Sequence, residues 1–278
     1  MMSDDRSLRG LVPSHPPTLR PRPCMDTPID RKDIIEGLGK GLRVIESFDD
    51  DHPRLSPSEA AERAGLTRTA ARRYLLSLVH YGYADSDGKH FWLLPKVLRL
   101  GQSYLGAARL PRLVQPFIQR LSQSCGETVN FSVLDGHEIV YLARSVSPRV
   151  ISIGFHAGAR VPAHVVTPST VILATYPDEA LDRWIADHHF AAFAPNTVTD
   201  AAVFRADVIG ARRLGYWVTE QQLEIGLRGM ALAVKDRKGV CRGAIGATMP
   251  MQNQSREDTI ARLLPLLQET AQALRQVI

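Results

Sequence analysis

Cysteine is scarce. Cys24, Cys125 and Cys241 are the three in 278 residues, odd in number and far apart, which speaks against a disulfide framework or a zinc cluster built on paired thiolates. No apolar run approaches the roughly eighteen residues that cross a bilayer, and the N-terminus lacks the apolar core of a signal peptide. A soluble cytoplasmic protein with no membrane partner is expected. The common catalytic signatures are missing too: GxSxG, HExxH, the P-loop and CxxC do not occur. The series Gly37, Gly39, Gly41 is not a phosphate loop, since no strand precedes it and its spacing is wrong. Cys125 and Cys241 lack sequence neighbours that would lower a thiol pKa. His188 and His189 have no acidic or thiol partner at metal spacing and read as a solvated helix end. No catalytic residue, metal or cofactor is expected.

What is present points to two domains and an acidic partner. The length suits about two cores, and a net charge of +5 with a pI near 9.3 favours an anionic surface. The chain gathers around residues 56–83, SPSEAAERAGLTRTAARRYLLSLVHYGY. Ser56-Pro57-Ser58-Glu59 has the form of a capping box with proline at the first helical position. Ala60, Ala61 and Ala64 are small enough for close helix contact, and Gly65 can end the helix in a left-handed conformation. A second helix restarts at Thr67. Its inner face is Ala71, Leu75, Leu78 and Val79; its outer face carries Arg68, Thr69, Arg72 and Arg73, three positive charges and no acid. This is either a helix-turn-helix whose second helix enters a major groove or an ordinary helical hairpin with a solvated basic face. Residues 83–93 favour the first, because two short strands around Asp87-Gly88 form a hairpin that reads as a wing. Lys89 and His90 sit near its tip, placed for the phosphate backbone or minor groove.

Residues 1–33, rich in proline, arginine and serine, read as a flexible tail; Arg20 and Arg22 have the alternative of lying in a minor groove. Leu38, Leu42, Ile45 and Phe48 mark a first helix. After the wing, residues 95–125 are helical, with Val97, Leu98, Tyr104, Leu105, Leu113, Phe117 and Leu121 as candidate buried positions. Gly101, Gly106, Pro111 and Pro116 are expected to break the region into at least two helices. From about residue 127 the pattern turns to strands: TVNFSVL, HEIVYLARS, RVISIGF, YWVTEQQL, MALAVKD and CRGAIGAT. Helices are expected over 167–176, 177–189, 201–214 and 259–278, the last amphipathic through Ile260, Leu263, Leu264, Leu267 and Leu274. Helices and strands mix without strict alternation, so the fold class is α+β with an antiparallel sheet.

With GLTRTAARRYLLSLVHYGY, FWLLPKVLRLG, LDGHEIVYLAR and GYWVTEQQLEIGLRGMALAV in this order, the chain from about Gly37 to its end resembles the IclR family of bacterial transcriptional regulators. The resemblance is strongest to members controlling protocatechuate and 4-hydroxybenzoate catabolism. It implies an N-terminal winged helix-turn-helix over 34–94, linker helices over 95–125, and a GAF-like effector domain over 126–278 that binds a small carboxylate. It also implies dimers or tetramers on palindromic double-stranded operators.

The resemblance places the effector between the sheet and the loop at residues 161–170, VPAHVVTPST. From the residues themselves, Thr167 can cap a helix with Pro168 at its first position, leaving the amides of Ser169 and Thr170 aimed at an anion; alternatively Thr-Pro simply starts a helix. The family's usual small residue plus Gly-Lys or Gly-Arg is replaced here by Pro168, Ser169 and Thr170. On the facing strand Thr219 and Gln221 point the same way. The family's motif puts Thr219 and Gly229 at ligand-lining positions, which hold aspartate and cysteine in members that bind small oxo acids; the change enlarges the pocket and suits an aromatic acid. Arg144, His156 and His164 are candidate charged or hydrogen-bonding partners, or structural residues, and Ile153 a candidate apolar wall.

The leading expectation is a regulator that binds 4-hydroxybenzoate, protocatechuate or a similar aromatic carboxylate to control aromatic-acid catabolic genes. The alternatives are a small-molecule enzyme on the same α+β domain, a regulator sensing an aliphatic acid such as β-ketoadipate, and a basic-faced interaction module that never touches DNA.

Overall fold

The structure, a computed structural model, describes residues 30–49, 51–101, 109–147, 156–251 and 254–278. It divides into two compact units, Met1–Gly101 and Gln102–Ile278.

The first unit is built by short-range signals. Helix α1 spans Glu36–Glu46, α2 Pro57–Ala64 and α3 Arg68–His80. At the start of α2 the Ser56 amide donates to Glu59 Oε2 (2.7 Å) and the Glu59 amide to Ser56 Oγ (3.4 Å), the reciprocal capping box. Gly65 ends the helix at φ +63°, and Thr67 caps α3 by accepting from the Ala70 amide. Strands β1 (Ala84–Ser86) and β2 (Phe91–Leu93) pair antiparallel as the wing. Asp87 Oδ1 accepts from the amides of Lys89 and His90 at its tip, where Gly88 takes φ +93°. Val44, Leu55, Ala60, Ala64, Leu75 and Phe91 form the core.

The expected inner face of α1 is corrected. Leu38 and Leu42 are 65% and 43% exposed, while Val44 is fully buried. A Cβ would lie 3.6 Å from the Tyr74 hydroxyl at Gly37 and 3.6 Å from the Tyr74 ring at Gly41, so α1 packs through the stripe Gly37, Gly41 and Val44, continued by Phe48 just past its end. Its bare glycines admit Tyr74 of α3, and that turns the leucines outward.

In the second unit helix α4 (Arg109–Cys125) precedes strands β3 (Thr128–Asp135), β4 (Glu138–Ser145) and β5 (Arg160–Pro162). Three helices follow, α5 (Thr167–Leu173), α6 (Asp178–Ala186) and α7 (Ala201–Leu214). Strands β6 (Trp217–Glu220), β7 (Leu227–Lys235) and β8 (Cys241–Pro250) lead to α8 (Arg256–Arg275). The six strands make one sheet in the order β5-β4-β3-β8-β7-β6, antiparallel throughout. Strand alternation serves two faces. Val129, Phe131, Leu232 and Ile245 pack with Val114 and Ile118 of α4 and Leu263 and Leu267 of α8. On the other face Tyr141, Ala231 and Ala244 pack with Val165, Val171 and Ile172.

Within the region read as linker, residues 109–125 belong to the core of this unit. Leu110, Val114, Ile118 and Leu121 are buried at helical spacing, and the helix runs unbroken through Pro116. Pro111 lies in the first turn, where its amide has no intrahelical partner to lose; Pro116 sits on the exposed side. Leu98 and Leu113, expected inside, are 73% and 37% exposed. Tyr104 and Leu105 lie outside the described residues, as do Arg20, Arg22 and the expected strand 149–155. Strand β5 was not anticipated. The last helix begins at Arg256, capped by Ser255 on the Asp258 amide (3.0 Å), three residues ahead of expectation.

Candidate functional site

The arginines of the first unit divide by what holds them. Arg43 Nε donates to the Ala64 carbonyl (3.1 Å) and Arg63 Nε to the Ser47 carbonyl (2.7 Å), tying the helices together. Arg68, Thr69, Arg72 and Arg73 are exposed on one side of α3, away from buried Ala71 and Leu75. Lys89 is exposed at the wing tip, whereas His90 is half-buried with Nδ1 3.7 Å from Asp87 Oδ2. Arg54, which the sequence did not single out, lies 4.3 Å above the Trp92 ring at the base of the wing. That contact holds an exposed guanidinium against the wing.

In the second unit a cavity of about 50 Å³ opens between the sheet and the segment entering α5. Of the expected residues, Thr167, Pro168, Thr219, Gln221 and Gly229 meet there. Thr167 does not cap α5; Val166 occupies that position without a side-chain bond. The Thr167 hydroxyl instead meets Thr219 Oγ1 at 2.5 Å, joining the helix start to β6. Gly229 makes this possible, because a Cβ there would collide with Thr167 Oγ1. Thr248 lies beside Gly229 in register and completes a group of three hydroxyls.

Ser169 and Thr170 are buried rather than aimed outward, and Ser169 Oγ donates to the carbonyls of Ala163 and Val166. The short α5 therefore offers its interior, not a presented amide pair. Gln221 takes φ +56° and its Oε1 accepts from the Gly226 amide (3.1 Å), closing the turn that forms one cavity wall. Arg228 also lines the cavity, but its guanidinium is engaged by Glu220 Oε1 (2.7 Å), the Gln254 and Ser255 carbonyls (2.9 Å each) and Thr259 Oγ1 (2.6 Å).

Two expected histidines lie elsewhere. His156 is exposed at a turn. His164 is buried, its Nε2 2.8 Å from the Ala191 carbonyl and its Nδ1 2.8 Å from His188 Nε2. His188 in turn reaches His137 (3.1 Å) and stacks on Trp184 at 4.5 Å. His188 is thus part of a half-buried aromatic stack, not a solvated helix end. Burial, followed by the neighbouring histidines, lowers its pKa to about 4, and burial lowers that of His164. Among the described residues no group of histidine, cysteine and carboxylate side chains could hold a metal. Burial pushes the thiols of Cys125 and Cys241 up.

Arg144 stands opposite Asn130 in the β3–β4 register, and Ile153 lies outside the described residues. Sequence reasoning missed Asn130, Tyr141 and Thr248, all cavity-lining. The Tyr141 hydroxyl is pushed up to about 12 by burial. Asn130 and Ser132 form the polar alternation of TVNFSVL, a pattern that ordinarily marks a solvent face. Here α5 covers that face.

Residues 37–88 match the family described as the IclR helix-turn-helix domain, and residues 102–276 that described as the bacterial transcriptional regulator IclR C-terminal domain. The chain belongs to the IclR family of bacterial transcriptional regulators. The family consists of DNA-binding regulators rather than enzymes, so the enzyme alternative is set aside. Two Acinetobacter baylyi proteins are similar over nearly the whole chain. One is the p-hydroxybenzoate hydroxylase transcriptional activator, 36% identical over 90% of this chain and 94% of its own. The other is the Pca operon regulatory protein, 34% identical over 90% and 91%. A solved inducer-binding domain, a double mutant of the Acinetobacter PobR transcription factor in complex with 3-hydroxybenzoic acid, is 30% identical. It covers 62% of this chain and 100% of its own, with a TM-score of 0.58. Among the described residues no helix of this IclR-family chain is long and apolar enough to cross a membrane.

Proposed function

We propose that this regulator senses a small aromatic carboxylate of the 4-hydroxybenzoate or protocatechuate type and adjusts its hold on operator DNA accordingly. The observation that carries the reading is the cavity beneath α5, where three threonine hydroxyls gather around a glycine. Hydroxyls can donate to a carboxylate, and Gly229 and Gly246 leave the sheet bare beneath a flat ring. Val165, Val166 and Leu223 supply apolar wall. The named activities of the two A. baylyi relatives and the acid bound in the PobR domain support the same class of ligand.

The cavity is smaller than the roughly 150 Å³ that accepts benzene in a protein interior. Ring entry therefore displaces a wall, and the turn formed by residues 221–226 is the part without regular structure. Binding coupled to such a displacement is what a ligand-driven population shift requires. The narrowness also favours, as a second reading, a slimmer aliphatic acid.

Arg68, Thr69, Arg72 and Arg73 enter the major groove, with Lys89, His90 and Arg54 on the flanking backbone. Leu38 and Leu42 on α1 and Ile35 just before it, all exposed, support self-association and hence a two-fold operator. Thermal denaturation with a panel of aromatic and aliphatic acids tests the ligand, since a ligand selective for the folded state raises the melting temperature. Gel shifts on the upstream region with the same acids test the coupling. A panel without any shift removes the sensing role.

A further inference from the structure

Asn130 is 6% exposed and lines the cavity, yet its Oδ1 has no hydrogen-bond partner among the described residues. Buried polar atoms in folded proteins are paired as a rule, with protein, water or ligand. Ser132 Oγ, on the same strand face two residues on, is likewise buried without a partner. An unpaired amide oxygen calls for a donor. A carboxylate, an ether oxygen or an aromatic carbon offers none at neutral pH, whereas a phenolic hydroxyl or an aromatic amine does.

The placement of Asn130 sharpens this. It sits on β3 and Thr219 on β6, and the order β3-β8-β7-β6 puts three strand spacings, about 14 Å, between them. The bonded pair Thr167–Thr219 and Asn130 therefore occupy opposite ends of the cavity, with Thr248 on β8 next to the Asn130 end and Gly229 and Gly246 on the strands between. We infer that Asn130 is the specificity-determining residue for a ring hydroxyl remote from the carboxylate, accepting a hydrogen bond from it. This rests on the aromatic-acid reading above and deepens it: the site demands a hydroxylated ring and discriminates against benzoate itself.

The test is calorimetric titration of the full chain with 4-hydroxybenzoate, 4-aminobenzoate, benzoate and 4-methoxybenzoate. The wild type binds the first two about tenfold or more tightly than the last two, since an analogue without the donor leaves the buried acceptor unpaired. Asn130→Leu collapses that ratio to within about twofold by removing the acceptor while still admitting benzoate. Asn130→Asp, which keeps an acceptor, retains the preference for donors. A preference that survives in Asn130→Leu overturns the inference. So does equal binding of the hydroxy and methoxy acids by the wild type, a result independent of any variant's folding. Loss of every acid from a folded Asn130→Asp protein would place the carboxylate at this end and overturn it as well. Absence of binding by any acid to the wild type overturns the aromatic-acid reading together with this one, whereas binding with an Asn130-independent preference overturns this one alone.

Discussion

The two units use their arginines in opposite ways. On α3 Arg68, Arg72 and Arg73 are exposed; at the cavity Arg228 is 4% exposed and engaged by four protein acceptors. A positive side chain near a ligand site is thus no guide to ligand contact by itself. The outward set, proposed to carry recognition, contributes little stability. The buried one carries stability, joining β6, β7 and the start of α8.

The largest expected effect breaks this comparison where it is strongest. Arg228→Ala strands Glu220 and three further acceptors, and removing one partner of a buried pair costs about 3–5 kcal/mol, to be read as a lowered denaturation midpoint. Arg68→Ala and Arg72→Ala each weaken operator binding by about 1–3 kcal/mol for a base contact, or lower the salt slope by about 1 for a phosphate contact. Both leave stability within about 0.5 kcal/mol of wild type. Gel shifts at several salt concentrations, run beside denaturation curves, check the pair; equal destabilisation by Arg68→Ala and Arg228→Ala would erase the distinction.

Gly229→Ala tests the cavity alone. The added methyl meets Thr167 Oγ1, an overpacking that costs about 1–3 kcal/mol, and acid binding is lost while operator binding in the absence of acid persists. Unchanged melting and acid binding would refute the close approach of α5 to the sheet.

The smallest effect is a pH dependence confined to the second unit. The folded-state pKa of His188 lies near 4, below the ordinary value of 6.5. Between these limits the unfolded chain binds more protons than the folded one, so the contribution is complete above pH 6.5 and fades as pH falls toward 4. His188→Gln shrinks the difference in melting temperature between pH 7 and pH 5. Both wild type and variant titrate the same surface carboxylates, so the comparison isolates the stack.

How much of each site was legible follows the same division. Arg68, Thr69, Arg72 and Arg73 were found from a helical period because the inner and outer faces of one helix are set by residues three and four apart. Of the cavity lining, Thr167, Thr219 and Gly229 were legible in the sequence, while Asn130 and Thr248 were not. The face they share is covered by α5, more than thirty residues from one and seventy from the other along the chain. His164, open in the sequence between a ligand partner and a structural residue, bonds to Ala191 and His188 instead of lining the cavity, because proximity in sequence does not fix which way a side chain faces.

The sequence by itself determined the features that close within a turn: the Ser56–Glu59 box, the left-handed Gly65, the Thr67 cap and the Asp87-Gly88 tip. Each is a hydrogen bond or a dihedral angle settled by near neighbours. Tertiary structure decided what each face meets. It selected the glycine stripe of α1 over its leucines, turned the Thr167 hydroxyl from a cap to Thr219, fifty-two residues away, and covered the polar face of β3. Burial and partnership depend on which element arrives from a distance, and periodicity carries no record of that.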